Sequence, residues 1–296
     1  MTFGRQPHSG QQSQNQQSQG NQMPMNQPMF GQYSNATDNR QAQYGAQYAT
    51  SAYGSQPQMT MNGQTAYSYE SMEKATHASV TRAYGEMTLG LVLTAVVAVI
   101  AQSTGALEAY MSATGIIGWI ALAVIQVGLA ITLGARIMKM SSGTARLMFY
   151  VYAALMGFTL SSIFWAFSVG TIVITLGLCA AFFFTLTMIG MTTKLNMLKA
   201  GPILMVGLLV LIVSQVVLMF VAPSASTLRI VAAIGLLLFA GMTMYDAQRT
   251  RLIFQQVSTQ GPEMVKKASI LCALNLYLDF VNMFLYLLQL VGLNNN

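Results

Sequence analysis

Near the C-terminal end of the sequence, LNLYLDFVNMFLYLLQLVG sets five polar residues in an otherwise apolar run. Asn275, Asp279, Asn282, Tyr286 and Gln289 follow one another at spacings of four, three, four and three residues, which places them on one face of a helix. The opposite face is Leu, Val, Phe and Met. An ionised carboxylate at the centre of a membrane helix costs roughly 2.5–3.5 kcal/mol on insertion scales. Residues of this kind face a cavity or a partner and mark ion and proton paths. Asn and Gln alone could form an interhelical hydrogen-bond seam; the acid among them points beyond a seam. Each unsatisfied polar group turned to lipid costs free energy, so this segment is expected to be enclosed by other helices, its stripe facing a polar interior.

A second acid, Asp246, follows the apolar run LRIVAAIGLLLFAGMTM. Asp279 lies eleven residues past Ala268, or roughly 16 Å at about 1.5 Å per residue, which is near mid-membrane. Asp246 precedes Arg249 and Arg251 and lies nearer the membrane surface. If its helix continues a turn beyond it, the two carboxylates can approach each other. Two close carboxylates cannot easily both be ionised, which makes a proton-sensitive site. They also offer hard oxygen ligands to a cation such as Ca²⁺, with help from the Asn275 or Asn282 amides. Asp246 alone has a plainer role open to it, as an interfacial acid paired with Arg249 or Arg251. Glu86 lies four residues after Arg82 and is expected to be satisfied by it locally. Arg136 and Lys139 close an apolar span; they serve as charge anchors, or one of them reaches an acid of the pair.

The elements that must position these residues are membrane spans. The chain has 296 residues, of which 54% are hydrophobic and only 7% charged, against about 25% charged in a soluble domain. Seven apolar spans can be read, at 84–104, 114–135, 147–167, 170–191, 203–222, 228–248 and 268–290. Each is near the ~20 residues that cross a hydrocarbon core of about 30 Å. Only Ser168–Val169 separates the third from the fourth, which predicts a tight hairpin. Residues 1–78 are of another kind, rich in Gln, Asn, Ser and Gly with spaced Tyr and Met. With so few aliphatic residues they are expected to be a disordered tail, and the spaced tyrosines are also a self-association pattern. The polar N-terminal stretch lacks a signal-peptide pattern, so insertion is expected to begin with the first apolar span. Cys179 and Cys272 both fall inside spans and read as small core residues rather than a disulfide or a metal site.

Charge sets the expected orientation. Lys74 and Arg82 precede the first span; Arg136, Lys139 and Arg146 follow the second; Lys194 and Lys199 follow the fourth; Arg249, Arg251, Lys266 and Lys267 follow the sixth. The alternate loops, GALEAYMSA, SVG and APSAST, carry no Lys or Arg, and only Arg229 sits near that side. The positive-inside rule therefore puts the N-terminus in the cytoplasm and the C-terminus outside. It also accounts for the net charge of +6 without nucleic acid as a partner.

VTRAYGEMTLGLVLTA in the first span, TLSSIF in the third, MYDAQ ending the sixth and the seventh span as a whole resemble the Bax-inhibitor family of seven-helix membrane proteins. The resemblance covers about residues 79–293, the expected transmembrane domain. It implies an all-α integral membrane fold in which six helices surround a central seventh, in agreement with the enclosed stripe. Family members are described as pH-dependent Ca²⁺ leak channels and as regulators of cell death or membrane-protein quality control. The resemblance maps their pH-sensing aspartate pair onto Asp246 and Asp279. It maps the basic residue that latches the closed form onto Arg136, or onto Lys139 in a shifted register.

The expected function is thus a pH-gated calcium leak with no enzymatic activity and no resident cofactor, Ca²⁺ passing only transiently. Lipid, calcium ions and protons are the expected partners, and the short loops fit a bacterial plasma membrane. A regulator that acts on other membrane proteins is the alternative. An intramembrane aspartyl protease also pairs two acids, but Asp279 stands in LYLDF rather than Gly-x-Gly-Asp and no Pro-Ala-Leu follows. A proton-coupled transporter lacks a recognisable inverted repeat with broken helices, and a retinal receptor would need a lysine in the seventh span.

Overall fold

A computed structural model describes residues 60–61, 64–65, 69–221, 224–258 and 260–292, with side chains from residue 77 onward, Met219 excepted. Most of the segment expected to be disordered therefore lies outside the described residues. Near its end, Thr60–Met61 (β1) and Gln64–Thr65 (β2) form a two-residue antiparallel ladder. Seven long helices follow: α1 (Tyr69–Thr104), α2 (Ala106–Arg136), α3 (Ser142–Leu160), α4 (Val169–Thr192), α5 (Gly201–Phe220), α6 (Ala225–Val257) and α7 (Pro262–Gly292). Among the described residues, seven spans are long and apolar enough to cross a membrane. The chain is thus an integral membrane protein of the all-α class.

Local sequence explains where the helices begin and break. Ser141, Ser168 and Ser224 are each followed three residues later by threonine. Each serine side chain accepts from that threonine's N–H, at 3.1, 3.2 and 3.2 Å, and so caps α3, α4 and α6. α3 is interrupted at Ser161–Ser162 and resumes for one turn, Ile163–Ala166, before Ser168 opens α4. α2 is kinked at Gly115, where φ is 59°.

α1 begins at Tyr69, well before the expected start of the first span, and α6 runs to Val257, eleven residues beyond Asp246. The extension of α6 has a physical cause. Asp246, Thr250, Phe254 and Val257 are buried at helical spacing while Arg249 and Arg251 are exposed. The helix continues because it is amphipathic past the apolar run.

α7 is the centre of the bundle. Of its most apolar window 67% is buried, against 11–33% for the other six spans. It packs against α1, α2, α3, α4 and α6, and Gln215 of α5 donates to Tyr286 Oη at 3.4 Å. Aromatic contacts fix its rotation. Tyr277 lies edge-on to Phe149 and Tyr152, Phe280 edge-on to Phe183, and Tyr286 is stacked on Phe239. Tyr277 Oη is 2.7 Å from Thr94 Oγ1, whose own proton can go to the Ala153 carbonyl at 2.9 Å. The outer helices instead expose apolar side chains such as Ile117, Ile203 and Leu237, the surface a bilayer covers.

The first two turns of α7 also hold the α2–α3 connection. Glu263 accepts from Ser142 N at 2.8 Å and from Ser142 Oγ at 3.0 Å, and Lys267 Nζ donates to the Met138 carbonyl at 3.3 Å. Glu263 thereby supplies an acceptor for a free N–H at the start of α3, where a carboxylate also meets the favourable end of the helix dipole. Glu263→Ala is expected to speed amide exchange at Ser142–Thr144 with little change elsewhere. Unchanged exchange there would show that the cap does not hold in the membrane-inserted protein.

Candidate functional site

Asp246 and Asp279 meet. They come from antiparallel helices α6 and α7, and their carboxyl groups lie close enough to act directly on one another. Both are enclosed, at 5% and 2% exposure. Two carboxyl groups this close cannot easily both be ionised, so the arrangement suits a shared proton. Asp246 Oδ1 and Asp279 Oδ2 have no protein partner.

The closest basic influence on the pair is Arg249, whose charge acts on Asp246 and whose guanidinium lies 5.9 Å from the centre of the Tyr245 ring. The charge of Arg249 reaches Asp246, but the Asp246 carboxyl is buried against Asp279 rather than set at an interface. Arg136 and Lys139 are both exposed at the end of α2 and in the turn after it. This structure does not bring them to the pair. Asn282 and Asn275 are half-buried on α7. Asn282 donates from Nδ2 to the Leu278 carbonyl of its own helix at 2.8 Å, which turns that N–H away from the carboxylates.

The local Arg82–Glu86 pair is replaced by a contact across helices. Glu86 is 7% exposed and Arg82 is exposed. The Glu86 carboxylate instead accepts from Arg146 Nη2 and, at 2.7 Å, from Tyr150 Oη, both on α3. The spacing from Arg82 to Glu86 is correct for a helix pair. The rotation of α1 decides otherwise, because it turns Glu86 inward and leaves Arg82 outside.

Two hydroxyls that the sequence reading did not single out meet each other in this part of the bundle. Tyr84 of α1 lies within electrostatic range of both aspartates and of Cys272, and its hydroxyl faces that of Thr187 of α4. Neither Tyr84 Oη nor Thr187 Oγ1 has a well-formed hydrogen bond. Cys272 lies beside Thr250. α4 can come this close to α6 because Gly190 faces it. A Cβ at Gly190 would stand 2.8 Å from the Met244 carbonyl oxygen and 3.1 Å from Ala247 Cβ. Among the described residues no group of three His, Cys, Asp or Glu side chains forms. A cation at the pair would therefore have to complete its shell with neutral oxygens or water.

Comparison with known proteins gives a consistent result. The family model described as "Inhibitor of apoptosis-promoting Bax1" matches residues 76–296. The chain is 37% identical over 213 residues to inner membrane protein YbhL of Escherichia coli (strain K12), covering 72% of this chain and 90% of that protein. It is 33% identical over 217 residues to a protein of Borreliella burgdorferi, covering 73% and 92%. It is 33% identical over 211 residues to one of Deinococcus radiodurans, covering 71% and 88%.

Proposed function

Because the chain belongs to the Bax inhibitor family, we propose that it is a calcium leak channel whose gate is the proton shared by Asp246 and Asp279. The observation that carries this reading is the contact between two buried carboxyl groups from different helices. A pair of this kind inside a membrane bundle is costly to bury and has no packing advantage over apolar residues. With one proton shared, α6 and α7 are tied together and the path along the α7 stripe is shut. Loss of that proton sets two like charges side by side, and gain of a second removes the carboxylate acceptor. Either change shifts the population toward an open arrangement.

On this reading residues 79–293 carry transport and the segment before them is a cytoplasmic tail. The C-terminus is outside, the home is a bacterial plasma membrane, and the protein is not an enzyme. The printed name of the Escherichia coli relative places that relative in the inner membrane. A latch by Arg136 or Lys139 would require the end of α2 to move inward from its exposed place here. Ca²⁺ is cargo, held transiently by the carboxylates with Asn275 and Asn282 further along the stripe.

The test is Ca²⁺ flux into liposomes containing only this protein, from mildly acidic to mildly alkaline pH. The wild type is expected to conduct with a pH dependence that Asp246→Asn and Asp279→Asn each remove. No flux above empty liposomes at any pH would end the channel reading and leave a regulator of other membrane proteins. Flux with unaltered pH dependence in both variants would place the gate elsewhere.

A further inference from the structure

We infer that the α4–α5 turn and the adjoining face of α6 form a binding site for the headgroup of an anionic phospholipid, with Lys194, Lys199 and Arg249 supplying the charge. This goes beyond the channel reading and does not depend on it.

The first ground is how the three basic residues are brought together. The turn is pinned to α6. Gln248 accepts from Met197 N at 2.9 Å through Oε1 and donates from Nε2 to the Leu195 carbonyl at 2.7 Å. Leu195 N donates to Thr193 Oγ1 at 3.2 Å, and Met197–Ala200 closes as a single 3-10 turn. Arg249 follows Gln248 on α6. Its guanidinium lies 5.9 Å from the centre of the Tyr245 ring. That ring packs in turn against Gly201, where a Cβ would stand 2.8 Å from it. Lys194 adjoins Leu195, and Lys199 lies between Met197 and Gly201, so the backbone of both lysines is held beside this part of α6. All three basic residues are exposed. A guanidinium set over an aromatic face keeps its planar fork ready for bidentate contact with a phosphate.

The second ground is that the described protein does not meet this charge, while the bilayer does. Among residues with described side chains, the acids are engaged or elsewhere. Glu86 holds Arg146 and Tyr150, Glu263 holds Ser142, Asp246 and Asp279 are enclosed, and Glu108 lies in the first turn of α2, at the other end of the bundle. Lys194 and Lys199 make no hydrogen bond or ion pair among the described residues. Only residues 193–196 separate the end of α4 from the fifth apolar span, which begins at Met197. A connection this short cannot carry its lysines away from the bilayer surface, so their charges sit at the level of the lipid phosphates. Basic groups there attract anionic headgroups, each adding to the affinity. Leu195, 68% exposed in the same turn, decides the class of partner. A nucleic acid or an acidic protein surface would meet the three cations but leave this leucine against polar groups, whereas a lipid offers it the edge of the acyl layer.

The experiment is native mass spectrometry of the full-length protein released from a neutral detergent, with phosphatidylglycerol and phosphatidylcholine of the same chains supplied in equal amounts. Wild type is expected to retain phosphatidylglycerol in preference. Combined Lys194→Gln and Lys199→Gln is expected to weaken that retention about ten- to thirty-fold, and Arg249→Gln about five-fold. Combined Arg136→Gln and Lys139→Gln removes the same amount of charge from the α2–α3 connection. It is expected to leave retention within about two-fold of wild type, because exposed charges beyond a Debye length are screened. An equal loss in that second pair would mean that surface charge in general holds the lipid, and overturns the inference. Equal retention of the two lipids by wild type, or unchanged retention in the lysine variant, overturns it too. A titration with inorganic phosphate at constant ionic strength separates a lipid site from a site for a soluble anion. Phosphatidylglycerol that stays bound supports the inference, and its displacement by phosphate alone overturns it. None of these outcomes involves Ca²⁺ flux, so the channel reading stands or falls separately.

Discussion

Arg146→Ala is expected to destabilise the bundle by about 2–3 kcal/mol, below the ~3–5 kcal/mol typical of breaking a fully buried pair. The discount follows from exposure, since the Arg146 side chain is 41% exposed and that of Glu86 9%. Removing the guanidinium leaves the Glu86 carboxylate between α1 and α3 with Tyr150 as its remaining partner. Glu86→Gln in the Arg146→Ala background is expected to recover part of the loss, because no charge is then stranded. Thermal unfolding in detergent of the two single variants and the double variant reads this directly. If the double variant is no more stable than Arg146→Ala, the pair is not what joins α1 to α3 at this level.

Gly157→Ala is expected to be nearly as severe, at the upper end of the ~1–3 kcal/mol usual for overpacking. A Cβ at Gly157 would run into the backbone carbonyl oxygen of Thr94 and stand 2.9 Å from Val97 Cβ. Backbone cannot swing aside as the tip of a side chain can, so α3 would have to withdraw from α1. The same displacement would disturb Thr94, which links Tyr277 of the central helix to the Ala153 carbonyl. Gly177→Ala is the comparison, because nothing lies within 4 Å of its Cβ position. That substitution should be neutral or raise stability by up to about 1 kcal/mol through helix propensity. Equal unfolding midpoints for Gly157→Ala and wild type would mean that α1 and α3 pack less closely than described.

Much of the scaffold was legible because its causes are local. A run of apolar residues long enough for a bilayer must be helical there, since only a helix satisfies its own backbone in hydrocarbon. The stripe from Asn275 to Gln289 could not face lipid, and α7 is indeed the enclosed helix. The end of α6 was harder to read, because hydropathy stops at Asp246 while the helix is carried on by amphipathic burial to Val257. That extension is the condition for Asp246 to meet Asp279.

The partners of charges were less legible. Arg82 stands at the correct distance from Glu86 along one helix, yet Glu86 is satisfied by Arg146 and Tyr150. Arg136 and Lys139 close an apolar span as expected, but the structure leaves them outside, with Arg249 the base that acts on Asp246. Tyr84 and Thr187 carry no signal of their own, being one tyrosine in an apolar-to-polar transition and one threonine among several on α4.

The sequence by itself determined the number of spans, their charge asymmetry and the helix that must be buried, because these follow from transfer free energies and a helical repeat. Tertiary structure alone decided which oxygen meets which across helices. Contacts of that kind depend on the rotation and closeness of packed helices, set here by aromatic edges around Tyr277 and by small residues such as Gly157 and Gly190. No spacing along a single helix encodes those settings.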